Sequence, residues 1–356
     1  MKKVLILFGG VSSEHEVSCV SASYVINNIP RDKYEVIALG ITKGGEWFLF
    51  SGDASLLPDD KWIKSGECKK AVISPDRDDH GIIVFDGDKI EKIHIDACFP
   101  VLHGKNGEDG TMQGLLEISG IPYVGCNTLS CAVCMDKEFT NTLADAAKIN
   151  QAKWLYTTCY DYNKAPGEFI KNAIEYLGFP IFVKPANAGS SVGISKVQNE
   201  NELRVGIDKA FSFDKKVVLE EFIDGFEVEC AVIGNLEPMA SAVGQIISCN
   251  DFYDYDAKYL TDSKLLIPAD LSIDKQNEVR AAAVKAYCVL NCTGLSRVDF
   301  FVDRKSGEVI FNEINTIPGF TSISMYPKLM EQSGVPYPKL LDKLFKLAIE
   351  RADNNK

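Results

Sequence analysis

Four polar residues late in the chain are spaced so that their side chains converge. Arg297 and Asp299 stand two apart in "LSRVDF" (295–300), and Glu313 and Asn315 two apart in "EVIFNEINTIPGF" (308–320). Alternate residues of a strand share a face, so each pair points one way. By that alternation Phe311 joins Glu313 and Asn315, while Ile310 and Ile314 take the other face. Asp299, Glu313 and Asn315 offer three oxygen donors without sulfur or imidazole, a set suited to Mg²⁺ held partly by nucleotide phosphates. A salt bridge or a polar strand face meeting water would use the same spacing. The turn that follows, Thr316-Ile317-Pro318-Gly319-Phe320, favours a site, because sites are often built at strand ends.

A second set lies upstream. "PIFVKP" (180–185) is an apolar strand ending in Lys184, with no carboxylate near it in sequence. A lysine so placed needs an anion, and a phosphate is one candidate. Gly189-Ser190-Ser191-Val192-Gly193 follows as a turn between two strands, where glycines let backbone N–H groups approach an anion. It is not a Walker A loop, and a glycine-serine turn can be only a turn. "VVLEEFI" (217–223) then runs from a strand into a linker carrying acceptors and backbone groups, the form an adenine edge requires.

These sets need a large scaffold. With 356 residues, 46% of them hydrophobic, the chain can bury two or three domains. Thirty-eight basic against 50 acidic residues give a net charge of -12, which argues against a nucleic-acid partner. The start, "MKKVLILFGG", reads as a strand ended by a glycine turn, not a signal peptide. No stretch reaches the ~20 apolar residues of a spanning helix, so neither a membrane partner nor any compartment beyond the cytoplasm is expected. Eleven cysteines, an odd number among apolar neighbours, fit buried thiols in a reducing compartment. Cys131 and Cys134 have half-zinc-site spacing, but no second pair accompanies them, so a packed helix is expected. The four histidines show no metal-ligand spacing.

Strands at 4–8, 34–41 and 97–102 suggest a small parallel sheet with crossover helices, and hairpins and loops are expected over 51–90. Helices at 137–147 and 169–177 alternate with strands at 154–157 and 180–185. Further strands at 228–233, 239–247, 294–302 and 308–314 surround a polar interruption at 249–264. The fold class is α/β: an N-terminal domain, 1–136; a central unit, 137–220; and a C-terminal unit, 221–356.

In order, "HGKNGEDGTMQGLLE", "CMDK", "VKPANAGSSVGISK", "FYDYDAKY", "SRVDFF" and "NEINTIPGFTSISMYP" resemble the D-alanine–D-alanine ligases of the ATP-grasp superfamily, from Gly9 to Pro327. The resemblance implies an ATP-grasp fold behind a Rossmann-like parallel-sheet domain that binds substrate. It implies an ADP-forming carboxylate–amine ligase joining two D-alanines for peptidoglycan synthesis, with ATP, Mg²⁺ or alternatively Mn²⁺, and a homodimer.

Carried over, phosphate contacts fall on Lys137, Lys184 and the hairpin residues Gly189, Ser191 and Val192. Adenine and ribose contacts fall on Glu220, the Ile223 backbone and Glu227, and metal ligands on Asp299, Glu313 and Asn315. Glu14 holds the first substrate's ammonium with His103 beside it, and Arg297 and the Gly319 N–H form the oxyanion site. Lys258 and Ser324 take the second substrate's carboxylate, with Met325 as a wall. Ser190 and Tyr259 join Glu14 in a hydrogen-bonded chain closing the lid, 249–264, over a water-sensitive acylphosphate. Two positions depart from the family pattern, Ala188 where an acidic residue is common and Ile323 where histidine is. Lys105-Asn106 and residues 125–129 also resemble the vancomycin-resistance D-alanine–D-serine ligases, an alternative reading. A biotin-dependent carboxylase type of ATP-grasp enzyme gives no reason for Glu14 or the lid, and a non-catalytic nucleotide module gives none for Arg297.

Overall fold

The computed structural model describes residues 1–189, 192–247 and 264–354. Residues Ser190, Ser191, Lys258 and Tyr259, with nearly all of the expected lid, lie outside them.

Three sheets carry the described chain. The first orders β6-β5-β4-β3-β2-β1-β7, with β1 Lys2–Gly9, β2 Tyr34–Ile41, β3 Trp47–Phe50, β4 Cys68–Ile73, β5 Gly81–Asp86, β6 Lys89–His94 and β7 Ala97–Pro100. Only β2, β1 and β7 run parallel; β3 to β6 extend the sheet as antiparallel hairpins. The apolar run Val4–Phe8 is fully buried, as a parallel strand covered on both faces must be. The small parallel sheet read from the sequence is thus the parallel part of a mixed one.

The second sheet orders β10-β9-β11-β8, from β8 Trp154–Thr158, β9 Ile181–Pro185, β10 Ser195–Val197 and β11 Lys216–Glu221. β9 and β10 pair antiparallel, as expected of the strands on either side of the glycine-serine turn. The third orders β14-β13-β12-β15-β16, from β12 Gly225–Gly234, β13 Met239–Ile247, β14 Lys264–Leu266, β15 Gly294–Asp303 and β16 Val309–Asn315. Helix Ile273–Val289 covers one face of it through Val279, Ala283, Ala286 and Tyr287. The other face meets the N-terminal domain in a shared core, where Ala231, Ile233 and Leu295 join Phe8, Phe99, Phe320 and Phe345. Phe99 and Phe320 pack edge to face at 5.1 Å, so a ring from each unit holds the seam. Cys131 is buried in helix Thr128–Met135, as expected.

The sequence-based alternation fails in β16. Asp299 pairs with Glu313 but Phe300 pairs with Phe311, which leaves Asn312 as an extra residue in a β-bulge. A bulge adds one residue and reverses the side-chain parity beyond it. Phe311 therefore turns away from Glu313 into the core with Ile314, Val298 and Phe300, its ring 5.9 Å from that of Phe300. Glu313 and Asn315 are left facing the other way without an aromatic beside them. Truncating a buried phenylalanine costs roughly 3–5 kcal/mol, and urea unfolding of Phe311→Ala is expected to show a loss of that size. A loss below about 1 kcal/mol would instead place Phe311 on the polar face.

Candidate active site

Where the three sheets meet, a cavity of about 560 Å³ opens. Its walls take Arg297, Asn312, Glu313 and Asn315 from the third sheet, Glu14 and His103 from the first domain, and Lys137 and Gly189 from the central unit. The loop after β16 adds Gly319, Ser324 and Met325.

Arg297 is the hub. Its Nε donates to Asp299 Oδ1 at 2.7 Å and its Nη2 to Asp299 Oδ2 at 2.6 Å, and Nε also lies 3.0 Å from Glu229 Oε2. Asn315 Nδ2 donates to Asp299 Oδ2 at 3.0 Å. Burial works against a charged guanidinium, but Asp299, Glu229 and Glu313 outweigh it and hold the Arg297 pKa well above its ordinary value. The solvated salt bridge considered from sequence is thus a buried one: Asp299 is 2% exposed and Glu229 4%.

Glu14, at the N-terminal end of helix His15–Asn28, is 8% exposed. A Cβ on Gly104 would lie 2.6 Å from its carboxylate, at a φ of +68°, so the backbone approach there requires glycine. Glu14 N–H donates to Ser12 Oγ, whose hydroxyl donates to the His103 carbonyl. This ties the first glycine-rich loop to the strand end that carries His103. The His103 ring lies between Ser21 Oγ at 3.2 Å and the Ile317 carbonyl at 3.2 Å, with Glu108 Oε1 at 3.5 Å.

Lys137 begins helix Lys137–Ala146, capped by Asp136, and its Nζ donates to the Ala188 carbonyl at 2.8 Å. Asp136 and Glu138 both grip Lys216, at 2.7 and 2.8 Å, and Asn187 bonds Asp136 and Asp214, so the base of the hairpin is fixed. The anion that Lys184 needs is supplied by Glu220, at 2.5 Å, from the neighbouring β11. Asn141 also donates to Glu220, at 3.3 Å. On the acceptor side, Ser324 Oγ accepts from the Thr321 N–H at 3.0 Å. A Cβ on Gly319 would come within 2.7 Å of that hydroxyl, so glycine is what lets the two touch. Phe320, fully buried, and the Tyr337 hydroxyl on its carbonyl pin this loop.

Ten expected residues therefore line one cavity: Glu14, His103, Lys137, Gly189, Arg297, Glu313, Asn315, Gly319, Ser324 and Met325. Asp299 sits beneath it, bonded to Arg297 and Asn315. Lys184, Val192, Glu220, Ile223 and Glu227 are not in its wall; Lys184 and Glu220 form their own pair, and Glu227 stands in β12. Sequence reading missed Glu229, Glu108, Asn312 and Lys328, all in the wall. Alternation along "GFEVECAVIG" held a signal for Glu229, since its carboxylate interrupts a buried strand. Nothing local marked the bulge residue Asn312.

Family models for the D-ala D-ala ligase N-terminus and C-terminus match residues 3–126 and 143–346. The D-alanine–D-alanine ligase of Caldicellulosiruptor bescii is 50% identical over 98% of this chain and 95% of its own length, and that of Acetivibrio thermocellus 48% identical over 99% and 97%. Among solved structures, the VanG D-Ala:D-Ser ligase from Enterococcus faecalis is 42% identical with a TM-score of 0.88, covering 98% of this chain and 99% of that one. The D-alanine–D-alanine ligase from Coxiella burnetii is 34% identical with a TM-score of 0.87, covering 100% and 97%.

The His103–Glu108 pair makes a testable titration. Burial favours the neutral ring, yet the Glu108 and Glu14 carboxylates and the Ile317 carbonyl outweigh it and raise the His103 pKa. Burial likewise raises the Glu108 pKa against the pull of His103. A raised histidine pKa means the folded state holds the proton more tightly. That stabilisation is complete below the unfolded value of about 6.5 and is lost as pH rises through the folded-state pKa. NMR titration should find His103 with a midpoint above the ordinary histidine value, and Glu108→Gln should lower it. An unchanged midpoint in the variant would contradict the coupling.

Proposed function

The chain belongs to the D-alanine–D-alanine ligase family, and from that premise we infer that it joins two D-alanines into D-alanyl-D-alanine. The step consumes ATP, yields ADP and phosphate, and feeds peptidoglycan synthesis, and so cell-wall biogenesis and cell shape. One observation carries the reading: Arg297, Glu313 and Asn315 share a cavity with Glu14, His103 and the Gly319 loop.

The chemistry follows from charge. A carboxylate is a poor electrophile, so an oxygen of the first D-alanine's carboxylate attacks the γ-phosphorus of ATP, and ADP leaves. The amine of the second D-alanine then attacks the acyl carbon; the tetrahedral oxyanion collapses, phosphate leaves and the amine loses its proton. Arg297 and the Gly319 N–H stand where that negative charge develops. Glu14, beside His103, would take the first ammonium, and Ser324 with Lys258 the second carboxylate, against Met325. Lys137 and Lys184, now on a carbonyl and a carboxylate, would turn to phosphates, with Gly189, Ser191 and Val192 as backbone donors. Glu220, Ile223 and Glu227 would hold adenine and ribose.

The donor set of Asp299, Glu313 and Asn315 fits a hard divalent cation, Mg²⁺ or alternatively Mn²⁺. When bound, the cation screens phosphate charge and polarises the phosphoryl group. Ser190 and Tyr259 would complete the chain from Glu14. Among the described residues no helix is long and apolar enough to cross a membrane, and a cytoplasmic homodimer without nucleic-acid or membrane partners is part of the proposal.

Mass spectrometry of products from D-alanine in competition with D-serine and D-lactate tests the reading. D-Alanyl-D-alanine is expected to dominate, D-serine to be detectable and D-lactate poor. Met325 is 7% exposed and flanks Ser324, and an apolar wall rejects an added hydroxyl by only roughly 10²-fold. A higher kcat/KM for D-serine than for D-alanine would assign the enzyme to the D-alanine–D-serine type. Phosphate release without any dipeptide or ester product would exclude a ligase.

A further inference from the structure

Glu229 stands directly opposite Asp299 across the β12–β15 ladder, and Ala231 opposite Arg297. Directly opposed side chains share a face, and like charges so placed repel. Both carboxylates are buried, where repulsion is screened least. The pair persists because the Arg297 guanidinium lies between them, and the small side chain of Ala231 leaves room for it. Arg297 engages the two carboxylates unequally. Two of its donors go to Asp299 in a fork, while Glu229 Oε2 lies 3.0 Å from Nε as an ion pair.

That division conflicts with the function assigned above. Asp299 cannot give its oxygens to a divalent cation and keep both bonds to Arg297 at full strength. A guanidinium that loses its fork would swing within the cavity unless a second carboxylate held it. Glu229 is already in reach, its Oε2 3.0 Å from Nε, and it lines the same cavity. We propose that Glu229 is the positioning residue that keeps Arg297 aimed into the cavity when Asp299 turns to the metal. In the resting protein Asp299 holds the guanidinium; in the loaded protein Glu229 does. Glu229 needs no contact with substrate for this role, and its charge also offsets that of Arg297 once the metal has neutralised Asp299.

The inference rests on the ligase reading, so the test separates the two. Turnover is compared for wild type, Glu229→Gln, Arg297→Lys and the double variant. Glu229→Gln keeps the size of the side chain and removes its charge. A misplaced catalytic group can cost about 10²-fold, and Glu229→Gln is expected to lose kcat on that scale with little change in the KM for ATP. In the Arg297→Lys background the same change should cost less than about threefold, because coupled residues are not additive. An Arg297→Lys enzyme with wild-type turnover would remove the ligase role of Arg297 and leave Glu229 nothing to position. Equal losses from Glu229→Gln in both backgrounds, or a wild-type kcat, would overturn the proposal alone.

A readout independent of turnover uses ¹⁵N-arginine-labelled protein and hydrogen exchange at the Arg297 Nε–H. In the resting protein the signal should be protected in wild type and Glu229→Gln alike. With Mg²⁺ and ADP bound, protection should persist in wild type and fall in Glu229→Gln. Equal protection in the two loaded proteins would show that Asp299 never releases the arginine.

Discussion

The structure depends on one buried cation and the carboxylates around it. Arg297 is pressed between Asp299 and Glu229, with Glu313 near enough to add to the same field. Charges are removed from water at high cost, and only close pairing makes the burial tolerable. Three strands must therefore hold register: β12 brings Glu229, β15 brings Arg297 and Asp299, and β16 brings Glu313 and Asn315. Loss of Arg297 would leave its buried carboxylates uncompensated in the seam. The same arrangement leaves an excess of negative charge facing a cavity, the field in which a divalent cation is held.

The rest of the molecule brings complementary groups to that cluster. The first sheet ends its parallel strands at the cavity, delivering Glu14 after β1 and His103 after β7. The central unit brings Lys137, Gly189 and, one strand away, the Lys184–Glu220 pair. The shared aromatic core of Phe99, Phe320 and Phe345 fixes the N-terminal domain against the third sheet, so the donors from both sides stay within one site. Phe320 has two tasks: it fills that core, and it anchors the loop that carries Gly319 and Ser324.

Much of this was legible in the sequence because it depends on local rules. Apolar runs bounded by glycine gave β1 and β2, helical spacing gave His15–Asn28, and i, i+2 pairs marked Arg297 and Asp299. Long motifs carried the family resemblance, and ten of the residues that it implies line the cavity. What escaped had non-local causes. The bulge at Asn312 is set by pairing with β15, so strict alternation put Phe311 on the wrong face. Glu220 as the partner of Lys184 comes from the next strand of the sheet, 36 residues away in sequence. Glu229 gains its meaning only when β12 is laid beside β15. The hairpins expected over 51–90 are present, but no local pattern fixed their joining to the parallel strands as one sheet.

The central claim is that the bulged strand turns Glu313 towards a metal and not merely towards Arg297. Its most direct test is Mn²⁺ binding in the presence of ADP, followed by electron paramagnetic resonance, in wild type and Glu313→Gln. Glu313→Gln is expected to keep its thermal unfolding midpoint and to lose most of the protein-bound Mn²⁺ signal, because one anionic oxygen donor becomes a neutral amide. Bound Mn²⁺ at wild-type affinity in a folded Glu313→Gln protein would contradict the claim.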